Sequence, residues 1–267
     1  MPIHYLILLA IIQGLTEFLP VSSSAHLILP EAMGIGKQGA LIDVMAHFGS
    51  LFAVLIYFRK DVAAILLGLN DLLAKRLNNN SALALNLIVA TPPALLVGAF
   101  LALGGYDELL RKAWIIGAAS IVFGIILWWA DIRYARTRTT EELTWRGAFN
   151  MGLAQTLAFI PGTSRSGITI TAGRMMNMTR VEAARFSMLM SLPIIGASGF
   201  FAIIKLSQTD AGMTANLTDG MIVAALSFFS AYIAIAFFMK LVSRIGMFPF
   251  MLYRVALGLV IFFWLVF

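Results

Sequence analysis

The 267-residue chain is 60% hydrophobic and only 12% charged, about half the charge of a soluble domain, which excludes an aqueous globular protein and leaves a helical membrane bundle. It contains no cysteine, so neither a disulfide framework nor a thiolate metal site can be built. The net charge of +6 reads as anchoring charge facing anionic lipid and calls for no nucleic acid.

The N-terminus, MPIHYLILLAII, lacks a basic leading region and runs straight into Gln13 and Glu17, so it reads as retained chain. An apolar segment at 5–30 follows, interrupted by QGLTEFLPVSSSAH and too polar to cross a bilayer unbroken. The run 40–58, with Asp43 and His47, predicts a first span, and 82–104, with Asn86, a second. Residues 59–81 between them are expected as a loop. The uncharged run 113–130 predicts a third span, and the hydrophilic stretch 133–146 (RYARTRTTEELTWR) reads as a linker. A second interrupted segment, 147–173, contains PGTSRSGIT. Three more runs follow: 186–204 and 221–239 without charge, and 250–267 with Arg254. Each run approaches the ~20 residues a spanning helix needs.

The two interrupted segments are alike. Gln13, Pro20 and then Ser22–Ser24 parallel Gln155, Pro161 and then Ser164–Ser166. The chain divides into halves 1–132 and 147–267, each an interrupted segment followed by three spans. Three is odd, so the second half is inverted relative to the first. The expected fold is an all-α integral membrane protein. It has six transmembrane helices and two re-entrant helix-break-helix segments in an inverted-topology repeat, within one membrane domain over 1–267. With 59–81 in the cytoplasm, only Lys37, Arg111, Lys112 and Lys205 of the 19 lysines and arginines fall outside, leaving Arg165 and Arg254 unassigned. That distribution predicts both termini outside.

The breaks are where chemistry is expected. Non-helical backbone cannot face lipid, so Pro20 and Pro161-Gly162 must line a cavity or an interface. The serines beyond each break suit helix N-caps, and two converging helix N-termini suit an anion. Arg165 adds a planar fork of donors fitted to phosphate. Gln13 and Glu17 share a helix face and offer hard oxygen ligands for Mg²⁺ or Ca²⁺. Ser22 or Ser23 shares a face with His26, the arrangement of a hydroxyl activated by a histidine base. Ser24 faces away, as a cap or a phosphate donor. The competing readings are an ion pair between Glu17 and Arg165, a helix–helix hydrogen bond for His26, and close helix packing for the serines. His4 and His47 read as interfacial or packing residues.

The chain resembles the undecaprenyl-diphosphate phosphatase family of the bacitracin-resistance type. Its (Glu/Gln)-x-x-x-Glu motif falls on Gln13 and Glu17, and the following histidine on His26. Pro-Gly-x-Ser-Arg-Ser-x-x-Thr falls on Pro161, Gly162, Ser164, Arg165, Ser166 and Thr169 without a mismatch. Many members carry Glu where this chain has Gln13, so only Glu17 is anionic in that pair. The resemblance implies a membrane hydrolase that removes the terminal phosphate of a polyprenyl diphosphate with help from a divalent cation, Mg or Ca, held by Glu17 and Gln13. Gly162, Ser22, Ser24, Ser164, Arg165, Ser166 and Thr169 would bind the phosphates. Ser23, Ser22 or a water would attack, with His26 as base. The expected setting is the bacterial inner membrane, with the site open to the outer side. The expected partners are the lipid substrate and membrane lipids, and a homodimer is compatible with the sequence. A flippase for polyprenyl phosphate is the alternative from another class, and an anion channel is a weaker third reading.

Overall fold

The computed structural model describes residues 2–32, 39–105, 110, 112–207 and 217–265. Among them there is no β-strand, only an isolated bridge between Arg138 and Met178. The helices are α1 (Ile3–Phe18), α2 (Ser23–Ala32), α3 (Ala40–Tyr57), α4 (Arg59–Leu73), α5 (Asn79–Gly104) and α6 (Ala113–Arg133). After a 3₁₀ turn at Thr140–Glu142 come α7 (Trp145–Thr156), a second 3₁₀ turn at Leu157–Phe159, α8 (Arg165–Met175), α9 (Arg180–Ser207), α10 (Leu217–Ile245) and α11 (Phe248–Leu265). Lys37 and Arg111, expected on the outer face, lie outside the described residues, as does the side chain of Lys205.

Among the described residues four helices are long and apolar enough to cross a membrane: Asn79–Gly104, Ala113–Arg133, Arg180–Ile204 and Leu217–Ile245. The pair α3 and α4 supplies a fifth if counted as one span, bent by 84° between Tyr57 and Arg59. The last apolar segment forms a shorter helix, Phe248–Trp264. Four to five spans therefore meet the criterion that the sequence led us to expect of six.

The expected loop at 59–81 is mostly helix. The run AAILLGLNDLL is rich in good helix formers, so the chain bends at Phe58 and resumes as α4. Leu66, Leu67 and Leu73 on α4 are exposed, as suits a helix lying along lipid. A capping box at Asn78 and Ser81 then starts α5.

Each interrupted segment packs against the opposite half of the chain. Helix α1 lies on α10 and α7 lies on α5, while α2 touches α11 and α8 lies on α6. At Gly14 the α1–α10 approach is so close that a Cβ would stand 1.9 Å from Ser230 Oγ and 2.7 Å from Ser227 O. Ser230 reciprocates by donating to Ala10 O, and Ser227 ties α10 to α3 by donating to Ala46 O. Small residues and hydroxyls bring helices together in this way where lipid offers no hydrophobic drive.

The C-terminal end of α8 is pinned by a buried charge cluster. Asp131, 1% exposed, accepts from Arg174 Nε at 3.1 Å and from Arg180 at 2.6–3.0 Å. The Met247 amide, just before α11, donates to the same carboxylate at 3.2 Å. One carboxylate thus joins α6, α8, α9 and the start of α11, and Arg174 also donates to the carbonyls of Tyr134, Ala135 and Met178. Removing one partner of such a cluster leaves the others charged and unpaired. Asp131→Asn is expected to lower stability by about 3–5 kcal/mol, read as a large drop in melting temperature of the detergent-purified protein.

Candidate active site

Both breaks are built alike. Helix α1 ends at Leu19, whose backbone is extended, and Pro20 cannot continue it. Ser22 then takes a positive φ of 73°, and α2 begins at the next residue. In the second segment Pro161 and Gly162 end the 3₁₀ turn, Ser164 takes a φ of 67°, and α8 begins at Arg165. A left-handed backbone costs a non-glycine residue roughly 1–2 kcal/mol. Such strain persists only where the surroundings over-determine it, and it gathers at functional sites.

The surroundings here are hydrogen bonds between the two breaks. The Gly162 amide donates to Ser24 Oγ at 3.1 Å, and Ser166 Oγ donates to Leu19 O at 2.9 Å. At each break two serines two residues apart pair, Ser22 with Ser24 at 3.1 Å and Ser164 with Ser166 at 3.2 Å. Ser164 Oγ also caps α8 by accepting from the Gly167 amide. Gly162 is required twice over: its φ is +95°, and a Cβ there would meet Ile116 O at 2.2 Å. Arg254, fully buried on α11, holds the turn from below. Its Nη2 donates to Gly162 O at 2.9 Å and Thr163 O at 2.8 Å, and its Nε to Ser120 O at 3.2 Å.

Glu17 is the hub above this frame. Its Oε2 accepts from Gln13 Nε2 at 2.9 Å and from Ser23 Oγ at 3.3 Å, and its Oε1 accepts from Arg165 Nη2 at 3.3 Å. Arg165 is further steadied by donating from Nη1 to Ser187 O at 3.2 Å and by lying over the Phe18 ring, 5.6 Å from its centroid. Thr169 is fully buried, and its hydroxyl bonds Arg165 O and Ser187 Oγ, so it fixes the stem on which Arg165 stands. Gln13, Glu17, Ser23 and Arg165 are brought together from α1, α2 and α8.

His26 stands differently from its expected place. No serine hydroxyl bonds its ring. Its Nδ1 donates to the Ser22 carbonyl at 2.7 Å, and its Nε2 pairs with the Tyr253 hydroxyl at 2.7 Å, with the two rings stacked. The cause is the strained Ser22, which sits before the helix and turns its hydroxyl to Ser24, while Ser23 turns to Glu17. His47, expected as a packing residue, instead places Nε2 3.8 Å from Glu17 Oε2. Its presence in an apolar run was the available signal, since an ionisable side chain there is functional by default. The same signal applies to Arg254. Tyr253 and Ser187 carried none.

Fold and site together define a multi-pass helical membrane protein whose polar side chains gather where two interrupted helices meet. The family model described as bacitracin resistance protein BacA matches residues 6–260. The undecaprenyl-diphosphatase of Maricaulis maris is 49% identical over 263 residues, 97% of each chain. Those of Dinoroseobacter shibae and Aliivibrio salmonicida are each 48% identical, over 98% and 96% of each chain respectively. The chain belongs to the BacA family.

Arg165→Lys separates charge from geometry at this site. Lysine keeps a counter-charge for Glu17 but cannot donate in parallel from a planar fork. The variant is expected to insert and elute as wild type. Phosphate release from undecaprenyl diphosphate should fall by about 10²–10³, the cost of losing one preorganised donor. Wild-type turnover would mark Arg165 as a counter-ion only.

Proposed function

We infer that this protein is a phosphatase that hydrolyses undecaprenyl diphosphate to undecaprenyl phosphate and inorganic phosphate. This recycles the lipid carrier of cell-wall synthesis in the bacterial inner membrane and confers bacitracin resistance. The single observation that carries the reading is the meeting of Glu17, Ser23 and Arg165 at the start of α2 and α8. An anion held there faces two helix N-termini and a guanidinium, while the polyprenyl tail can stay between helices or in lipid.

Phosphoryl transfer depends mostly on positioning and on offsetting charge, so the protein has little covalent chemistry to supply. Arg165 holds the terminal phosphate. Ser23 Oγ is the nucleophile, oriented by its hydrogen bond to Glu17, which takes the hydroxyl proton as the bond from Oγ to the terminal phosphorus forms and the bridging phosphoanhydride bond breaks, releasing undecaprenyl phosphate. A water then attacks the phosphorus, the bond from Ser23 Oγ breaks to free inorganic phosphate, and Glu17 returns its proton to Oγ. His26, fixed by Ser22 O and Tyr253, stands at the side as the proton carrier for that second step. Among the described residues no three His, Cys, Asp or Glu side chains cluster, so a cation would draw on other oxygens as well. Gln13 fits: its Oε1 is buried without a hydrogen-bond partner. Glu17 and Gln13 would hold a divalent ion, which supplies positive charge beside the phosphate oxygens.

The reciprocal packing of α1 on α10 and α7 on α5, with α2 on α11 and α8 on α6, supports an inverted repeat of 1–132 and 147–267. The same architecture favours a flippase as the second reading. Orientation follows the charge distribution, with both termini outside, and a substrate formed on the outer leaflet favours a site that opens to the outside.

Detergent-solubilised protein has no second compartment, so phosphate release there separates hydrolysis from transport. We expect release that a chelator stops, a loss of several orders of magnitude in Ser23→Ala, and a smaller loss in Ser22→Ala. Absence of release from pure wild-type protein would favour the flippase, and Ser22→Ala as the worse variant would move the nucleophile. For orientation, tags at either terminus should react with an impermeant reagent on intact cells, and a tag in 133–146 should not. Labelling of 133–146 would reverse the topology.

A further inference from the structure

Among the described residues His47 is the one ionisable side chain beside Glu17 that the reaction above does not use. It sits on α3, side-chain 38% exposed, against 9% for Glu17. Its Nδ1 lies 2.8 Å from the Asp43 carbonyl oxygen. A carbonyl can only accept, so Nδ1 carries the proton. In the neutral ring Nε2 then presents a lone pair, and it presents it to Glu17 Oε2 at 3.8 Å.

Two acceptors face one another across that gap. A direct hydrogen bond would close it to about 2.8 Å. Bonds of about 2.1 Å to a shared divalent ion, bent at the ion, span 3.8 Å without moving either side chain. The Nδ1–H to backbone carbonyl bond is also the contact by which metal-bound histidines have their tautomer and ring orientation fixed. On the turn of α1 below Glu17 stands Gln13, with its unpartnered buried Oε1. These are three donors of two chemical kinds: carboxylate, amide oxygen and imidazole nitrogen.

We propose that His47 is a nitrogen ligand of the divalent cation held by Glu17 and Gln13, and that it turns the site toward ions that prefer imidazole. The inference rests on the reading of a cation at Glu17 and Gln13. Mg²⁺ and Ca²⁺ favour oxygen donors, whereas Zn²⁺, Co²⁺ and Ni²⁺ gain from a ring nitrogen. His47 would therefore determine which ion the protein prefers, while an all-oxygen set would take the hard ions.

The test measures binding, not turnover. Co²⁺, whose visible absorption reports its ligands, is titrated into purified wild type, His47→Gln and Glu17→Gln, with Ca²⁺ titrated calorimetrically in parallel. Gel-filtration profiles check that each variant is folded. His47→Gln should weaken Co²⁺ binding by at least the roughly 10–100-fold that loss of an outer-shell partner costs, change the Co²⁺ spectrum, and leave Ca²⁺ binding unchanged. A second variant, His47→Asn, should behave in the same way. Equal Co²⁺ affinity and spectrum in wild type and His47→Gln would overturn the inference and make His47 a counter-ion of Glu17. If Glu17→Gln still abolished binding in that case, the cation reading would survive without His47. Failure of wild type to bind Co²⁺ and Ca²⁺ at all would overturn both.

Discussion

Backbone that leaves the helix inside a membrane has no water to satisfy it, and the rest of this structure follows from that constraint. Two breaks, each alone unacceptable, are placed against one another so that each completes the other. The Gly162 amide finds Ser24, the Leu19 carbonyl finds Ser166, and Arg254 covers the carbonyls of Gly162 and Thr163. The result is a rigid frame holding two helix N-termini in fixed relation. It explains why the segments pack across halves, since a break can be satisfied by its counterpart only if the two halves interleave. It also explains the two strained serines. The left-handed turn at Ser22 and Ser164 swings the chain directly from the break into a helix, and the cross-bonds keep it there.

Two buried ion pairs in the same molecule illustrate different uses of one interaction. Asp131 is over-satisfied: Arg174, Arg180 and a backbone amide all reach it, several at 2.6–3.1 Å. Nothing is left to bind another molecule, and the cluster fixes the far end of α8. Glu17 and Arg165 meet at 3.3 Å through a single contact, at the near end of the same helix. One end of α8 is therefore clamped by a saturated cluster while the other presents groups with capacity to spare.

The polar motifs were legible because they are local. PGTSRSGIT breaks a helix, caps the next and carries an arginine, and each of these properties resides in the residues themselves. The Gln13–Glu17 pairing follows from helical spacing and is found as a hydrogen bond. What could not be read was every feature set by distant chain. His26 Nε2 pairs with Tyr253, 227 residues away, a partner that local spacing could not show. Serine, unlike glycine or asparagine, gives no sign of a left-handed backbone, so Ser22 looked like part of a helix face it does not join. The bend at Phe58 was hidden for the opposite reason: charge at Arg59 and Lys60 suggested a loop, while the leucine-rich run behind it forms a helix that can lie along lipid.

The looseness of the Glu17–Arg165 contact bears on the question of what the arginine is for. Were it only a counter-ion, the two planar groups would be expected to close into a parallel, doubly hydrogen-bonded pair at about 2.7–2.9 Å. They do not. Arg165 is drawn aside by the Ser187 carbonyl and by the Phe18 ring, and its Nε is buried with no partner among the described residues. A guanidinium held off its carboxylate, with a donor still free, retains the capacity to bind an incoming anion. Helix α8 begins at that very residue, so the positive end of its dipole adds to the guanidinium and both draw an incoming anion. Preorganised donors of this kind need not rearrange when charge develops on a transferring phosphoryl group, and in a low-dielectric site that is the most effective contribution a protein can make.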